Sequence, residues 1–213
     1  MSRALLIMGE SGSGKTTAMR NLNPKETYYI DCDKKGLSWK GWRQQYNAEN
    51  KNYFKTDVVD EINKIIVGIN KIRPEIKYVV IDTINGIMVG DEMRRSKEKG
   101  YDKWIDLAQC IWDLVDYAYS FRDDLTLIFL AHTQTERDDN GFTFTKVKTS
   151  GRKLDKIVLE SKFNIVLVAK KSGDRYIFET QANNSTAKTP YGMIEEKEID
   201  NDVTKIIKAM EEF

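Results

Sequence analysis

Gly9-Glu10-Ser11-Gly12-Ser13-Gly14-Lys15-Thr16 is the stretch on which the fold turns. It has the pattern G-x-x-x-x-G-K-T and follows the apolar run Ala4-Leu5-Leu6-Ile7-Met8. A buried strand, a glycine loop and a helix over about residues 15–22 are expected, with Pro24 closing the helix. Gly9, Gly12 and Gly14 let the backbone turn so that successive N–H groups face inward, and a helix N-terminus adds partial positive charge. Phosphate is the ligand such a loop holds. Ser11, Ser13 and Thr17 belong to the same cradle, Lys15 is placed to reach β- and γ-phosphates, and the Thr16 hydroxyl is a ligand for Mg²⁺.

Outward from the loop, strands and helices alternate. Thr27-Tyr28-Tyr29-Ile30-Asp31 reads as a second strand and Tyr78-Val79-Val80-Ile81-Asp82 as a short β-branched one. Between them Val58, Val59, Ile62, Ile65, Ile66, Ile69 and Ile72 recur at helical spacing and stop before Pro74. Trp104, Leu107, Ala108, Ile111, Leu114, Val115 and Ala118 mark another helix, and the mixed charges of residues 88–103 read as a solvated one. Residues 125–131 and 164–169 are further apolar strands, and Ser172-Gly173-Asp174 turns the second into Tyr176-Ile177-Phe178. Val203, Ile206, Ile207 and Met210 form a last helix. This order predicts an α/β fold with a mainly parallel sheet, helices on both faces and a small antiparallel C-terminal addition. No repeat or Pro/Gly linker divides the 213 residues, so a single domain over 1–213 is expected.

Composition bounds the setting. A formal charge of +1 neither favours nor opposes a nucleic-acid partner, so any basic surface must be local. Cys32 and Cys110 lie far apart and His132 is the only histidine, which argues against a disulfide framework or a zinc site and for a reducing cytosol. No stretch approaches the roughly 20 apolar residues of a membrane helix. A cytoplasmic protein without a membrane partner is the expectation.

Asp82 ends its strand and is the natural carboxylate for Mg²⁺. Thr83 follows it, whereas ATPases of the AAA+ type keep a water-activating glutamate there. A carboxylate that activates water must then come from the strand ending Asp31-Cys32-Asp33, with Asp33 the better placed general base and Asp31 second. The opposing reading is a solvated turn beside Lys34 and Lys35. After residues 127–131 comes His132-Thr133-Gln134, polar residues that either sense a γ-phosphate or merely satisfy hydrogen bonds.

The order of glycine loop, strand ending Asp-Cys-Asp, strand ending Val-Val-Ile-Asp and strand ending His-Thr-Gln resembles the RecA-like P-loop ATPase core. It is most similar to the small phage-encoded RecA-like ATP-binding proteins linked to DNA recombination and single-strand annealing. The likeness runs from Leu5 to about Gly192, including the polar segment around Lys188. It implies ATP and Mg²⁺ as cofactors, Asp33 in place of the family's glutamate base and Gln134 as the γ-phosphate-sensing glutamine. A bacterial host cytoplasm is implied if the chain is phage-encoded. Asp33 is one methylene shorter than glutamate, which argues against fast hydrolysis, and the resemblance is not expected to extend to the RecA N-terminal oligomerisation region, so it does not imply filament formation.

In that family the loop after the glutamine contacts single-stranded DNA. Here Asp138-Asp139-Asn140-Gly141 is a hairpin-type turn, followed by Phe142, Phe144, Lys146, Lys148, Arg152, Lys153 and Lys156 with one anion, Asp155. Cations would track phosphates while the aromatics stack on bases; the opposing reading is a solvated hairpin with its phenylalanines packed inward. A DNA-dependent ATPase in recombination, annealing or repair is the leading expectation, with single-strand-binding or other recombination proteins as partners. A small-molecule kinase using Asp31-x-Asp33, and a loader that binds ATP without turning it over, are the alternatives. A homo-oligomer, ring or filament, is expected, with Lys170, Lys171 or Lys188 acting on a neighbour's nucleotide and ordinary surface lysines as the opposing reading.

Overall fold

The computed structural model describes residues 2–100, 102–137, 141, 143–149 and 158–213. β1 (Arg3–Gly9) is buried over its last six residues, as a strand covered on both faces must be. β2 (Thr27–Asp31), β3 (Tyr53–Lys55), β4 (Tyr78–Asp82), β5 (Thr126–Arg137) and β7 (Ile165–Ser172) run parallel to it. β6 (Thr143–Val147) folds back antiparallel on β5, and β8 (Arg175–Glu179) and β9 (Glu198–Asp200) extend the sheet antiparallel beyond β7. The order is β3-β2-β4-β5-β1-β7-β8-β9, with β6 attached to β5 outside that path. This is the α/β architecture the alternation predicts, including the antiparallel C-terminal part.

The period of two along each strand divides the core. On one face Leu6, Met8, Ile30, Ile81 and Phe129 pack with α2 (Val59–Ile72), α3 (Ile84–Arg94) and α4 (Asp102–Tyr117). On the other, Leu5, Ile7, Tyr29, Val80 and Leu130 pack with α5 (Val203–Glu212). The short α1 (Trp42–Gln45) contributes Trp42 to that second layer.

Two expectations need correction. The helix over residues 15–22 is a 3₁₀ turn at Thr17–Met19. Ala18 N–H donates to Gly14 C=O at 2.9 Å, but Met19, Arg20 and Leu22 donate three residues back, each at 3.1 Å. Between Gly14 and Pro24 there is room for about two turns, too short to recover the cost of helix nucleation, and Ala18, Met19 and Leu22 instead bury against the sheet. A turn this short brings little helix macrodipole to the loop before it. The solvated helix over 88–103 is likewise two pieces. Thr83 caps α3 by accepting from Gly86 N–H at 3.1 Å, and Ile84, Ile87 and Met88 are buried. The mixed charges sit at the break, where Arg95 reaches Glu98 at 2.8 Å and Asp106 at 3.0 Å.

Ile62 is 0% exposed and Ile72 79% exposed on the same helix. Ile62→Ala should cost about 2–5 kcal/mol and Ile72→Ala within about 0.5 kcal/mol, read from denaturant midpoints.

Candidate functional site

Register brings the carboxyl ends of the parallel strands into one rim. Gly9 pairs with His132, Asp31 with Asp82, and Asp82 with Leu130. Ligands in open α/β sheets bind beyond this edge. The loop that crosses it needs glycine for two separate reasons. A Cβ at Gly9 would stand 2.4 Å from the Ala169 carbonyl oxygen, and Gly14 has φ +93° with Tyr176 and Asn201 against it.

Behind the loop lies a cleft of about 740 Å³. Lys15 and Thr16 line its floor with Asp82, Thr83 and His132. Lys15 is 5% exposed, and its ammonium donates to the Gly9 and Glu10 carbonyls at 2.7 Å each and lies 3.5 Å from His132 Nδ1. Burial lowers its pKa to about 8, and nearby Lys35 pushes the same way, against Asp82. Burial and the Lys15 charge also lower the pKa of His132, so the imidazole is neutral near pH 7. A cation so poorly solvated is ready for an anion.

Asp82 is the centre of the floor. Its Oδ2 accepts from Thr16 Oγ1 at 2.7 Å and from Tyr29 Oη at 2.6 Å. Its Oδ1 is buried with no hydrogen-bond partner among the described residues. Burial raises the Asp82 pKa, opposed by those two hydrogen bonds, and burial pushes the Tyr29 phenol well above its ordinary value, so it stays a donor. A bare carboxylate oxygen beside a hydroxyl suits a hard divalent cation. No cluster of three or more His, Cys, Asp or Glu exists among the described residues. Mg²⁺ takes one or two carboxylates and draws the rest of its shell from water and phosphate. Thr16 and Asp82 would hold it, and it would supply charge neutralisation to bound phosphates.

The other expected residues fall at different distances from this floor. Asp33 Oδ1 accepts from Thr83 Oγ1 at 3.0 Å and its Oδ2 from Lys35 at 2.6 Å. Asp31 is turned to the far side, where Oδ2 accepts from Gly36 N–H at 2.8 Å and Tyr53 Oη at 2.7 Å. Of the His132 and Gln134 pair, His132 lines the cleft; Gln134 stands one step further along the same face of β5 and bonds Glu136 at 2.9 Å.

Sequence reasoning missed a whole wall. Arg20, Arg175, Tyr176, Asn201 and Lys205 line the cleft together with Asp82. Arg20 ties the loop to this wall through a 2.7 Å bond to the Asn201 carbonyl. These residues are up to 185 positions apart, and no local pattern joins them. Tyr29 was equally hidden, being visible only as a core strand residue. Asn85 was hidden too: its side chain accepts from His132 N–H and donates to the Lys148 carbonyl, both at 2.7 Å.

On the β5–β6 hairpin Phe144 is 42% exposed, against the inward-packed reading, and Lys148 is exposed, whereas Lys146 pairs with Glu136 at 2.9 Å. Phe142, Arg152, Lys153 and Lys156 lie outside the described residues, as does most of the 138–141 turn. Lys170 is held by Glu179 at 2.7 Å and Glu198 at 3.0 Å of its own chain. Lys171 and Lys188 are exposed.

A family model described as AAA domain matches residues 1–191. Among curated proteins, adenylate kinase 2 of Plasmodium falciparum (isolate 3D7) is 33% identical over 94 residues, 39% of this chain. The match spans about a third of that relative's length, 34%. A solved KaiC-like protein from the hyperthermophilic archaeon Pyrococcus horikoshii OT3 superposes with a TM-score of 0.47 at 15% identity, over 83% of this chain and 76% of that one. No helix among the described residues is long and apolar enough to cross a membrane.

The Lys15 environment sets a pH dependence. The free protein loses the Lys15 proton near pH 8, whereas bound phosphate favours the charged form, so binding takes up a proton above that pH. Triphosphate affinity should fall above about pH 8 by at most tenfold per pH unit. Isothermal titration from pH 7 to 10 measures it, and Lys15→Arg, which does not titrate there, should abolish the slope.

Proposed function

Because the chain belongs to the AAA domain family, we propose that it binds ATP with Mg²⁺ and hydrolyses it, coupled to single-stranded DNA. The observation that carries this reading is the convergence of Lys15, Thr16 and the half-satisfied carboxylate of Asp82 on one cleft. Loop N–H groups and the Lys15 ammonium bind the phosphates, and low local dielectric strengthens those interactions. Arg20, Tyr176 and Asn201, which also line the cleft, are the groups left to meet the nucleoside.

In the proposed reaction a water oxygen attacks the γ-phosphorus. The bond from phosphorus to the β,γ-bridging oxygen breaks, its electron pair leaves with ADP, and the water proton passes to Asp33. Asp33 is the carboxylate for this task because Lys35 and Thr83, which hold it, both line the cleft, whereas Asp31 is held by Gly36 and Tyr53, which do not; Thr83 itself offers no carboxylate. Lys15 stabilises charge that grows on the phosphoryl oxygens. The exposed Phe144 and Lys148 support a DNA-facing hairpin, and Asn85 links its base to His132 in the cleft. Assembly into a ring or filament stays part of the reading, with Lys171 or Lys188 the cations available to face a neighbour's nucleotide; Lys170 would first have to leave Glu179 and Glu198.

Phosphate release without an added acceptor, stimulated by single-stranded DNA, is the expected result, and Lys15→Ala should abolish tight nucleotide binding. The partial adenylate kinase match favours transfer to a nucleotide acceptor as the second reading; phosphoryl transfer to AMP without phosphate release would establish it instead.

Asp33→Asn should keep nucleotide binding and lower turnover by at least about 10²-fold. Normal turnover in that variant, with loss in Asp31→Asn, would mean the other carboxylate does the work.

Neutralising Lys146 and Lys148 together should weaken single-strand binding. The slope of log affinity against log salt should flatten by roughly 0.7 for each DNA phosphate that no longer has a cation on it. ATP binding should be untouched, and an unchanged slope would leave the hairpin a solvated one.

A further inference from the structure

Two adjacent lysines, Lys34 and Lys35, follow Asp33, and they do different things. Lys34 turns away and pairs with Asp57 at 2.8 Å, a carboxylate that Arg94 also holds at 2.9 Å. Lys35 lines the phosphate cleft and reaches Asp33 Oδ2 at 2.6 Å. Thr83, also on the cleft wall, occupies the other oxygen of Asp33 at 3.0 Å. The carboxylate is only 16% exposed, and both its oxygens are engaged. Each oxygen keeps a further lone pair, but the Lys35 ammonium takes up space beside Oδ2 that an attacking water would need.

The Lys35 side chain is 52% exposed, so the pair is half-solvated and weak. Lys35 also lies close enough to Lys15, Asp82 and His132 to bear on the charge state of each. Its ammonium is a compact point charge on a flexible stem, suited to exchanging one anion for another.

We propose that Lys35 is a latch on Asp33: it covers the carboxylate while the terminal-phosphate position is empty and moves to the γ-phosphate of a bound nucleoside triphosphate. The γ-phosphate carries more charge than one carboxylate, and it meets the ammonium inside a cleft already shaped for anions. Release uncovers Asp33 Oδ2 for a water. ADP, lacking that group, leaves the latch closed. The proposal deepens the ATPase reading and rests on it for the role of Asp33. It also supplies within one chain a second cation for the transferring group.

The test is equilibrium binding of ADP and of a non-hydrolysable ATP analogue, both with Mg²⁺, to the whole chain. Lys35→Gln should weaken the analogue about tenfold, the scale of removing one charge-assisted hydrogen bond. ADP affinity should change by less than about twofold, as for an exposed pair. Lys35→Arg should keep most of the discrimination. Asp33→Asn, which removes the competing carboxylate, should bind the analogue at least as tightly as the natural chain, a gain that a merely structural pair would not give. Equal losses for ADP and analogue, or unchanged analogue binding in Lys35→Gln, would overturn the latch. Unchanged melting temperatures exclude misfolding. Because binding is read without turnover, a chain that binds the analogue and releases no phosphate would defeat the hydrolysis reading alone. A chain that binds neither nucleotide would defeat both.

Discussion

The Asp82 carboxylate takes two hydrogen bonds on one oxygen, from Thr16 and Tyr29, and none among the described residues on the other. Most of the site depends on this asymmetry. Thr16 belongs to the loop after β1 and Asp82 to the end of β4, with β5 lying between the two strands. The hydroxyl must therefore span a neighbouring strand, which holds only while the three strands end at matched heights. Their register, Asp82 beside Leu130 and Leu130 beside Ile7, supplies that match. Tyr29 enters from β2 as a diagonal neighbour of Asp82 and locks the bonded oxygen. The other oxygen then has a single orientation, and a buried unpaired carboxylate oxygen is costly unless a cation or donor meets it.

The same strand ends connect the cleft to its surroundings. β5 carries His132 into the cleft and continues outward into the hairpin with β6. Asn85 holds both parts, accepting from the His132 amide and donating to the Lys148 carbonyl. On the opposite side Arg20 and Asn21 bind the segment at Asn201 and Asp202, so the C-terminal strand pair and α5 form a wall of the nucleotide cleft and not an appendage. Thr83 stands where a glutamate would act on water, but its hydroxyl is committed to capping α3 and holding Asp33. In the proposed reaction the carboxylate that threonine lacks comes from Asp33, just beyond β2.

Much of this was legible in the amino-acid order. Hydrophobic runs such as Ala4-Met8 and Tyr78-Asp82 are buried on both faces, so they signal parallel strands without any partner being known. The glycine loop is equally local, because its φ requirements and close approach to Ala169 impose the same residue at the same places in the motif. The alternation of elements determined the α/β class, and the expectation that Asp82 ends its strand beside the glycine loop matches its 2.7 Å bond from Thr16. What failed locally was the length of the helix after the loop, where burial of Met19 and Leu22 outweighed helix continuation.

Only the tertiary structure decided which polar groups meet. Whether His132 or Gln134 faces Lys15, which oxygen of Asp33 is covered by Lys35, and that Tyr29 reaches Asp82 all depend on strand order and register. The wall built by Arg175, Tyr176 and Asn201 depends on β8 and β9 being added at the sheet edge beyond β7. Periodicity and loop motifs are properties of neighbours along the chain, so the sequence determines them directly. Cross-strand pairings are properties of neighbours in space, and those exist only after the sheet has chosen its order.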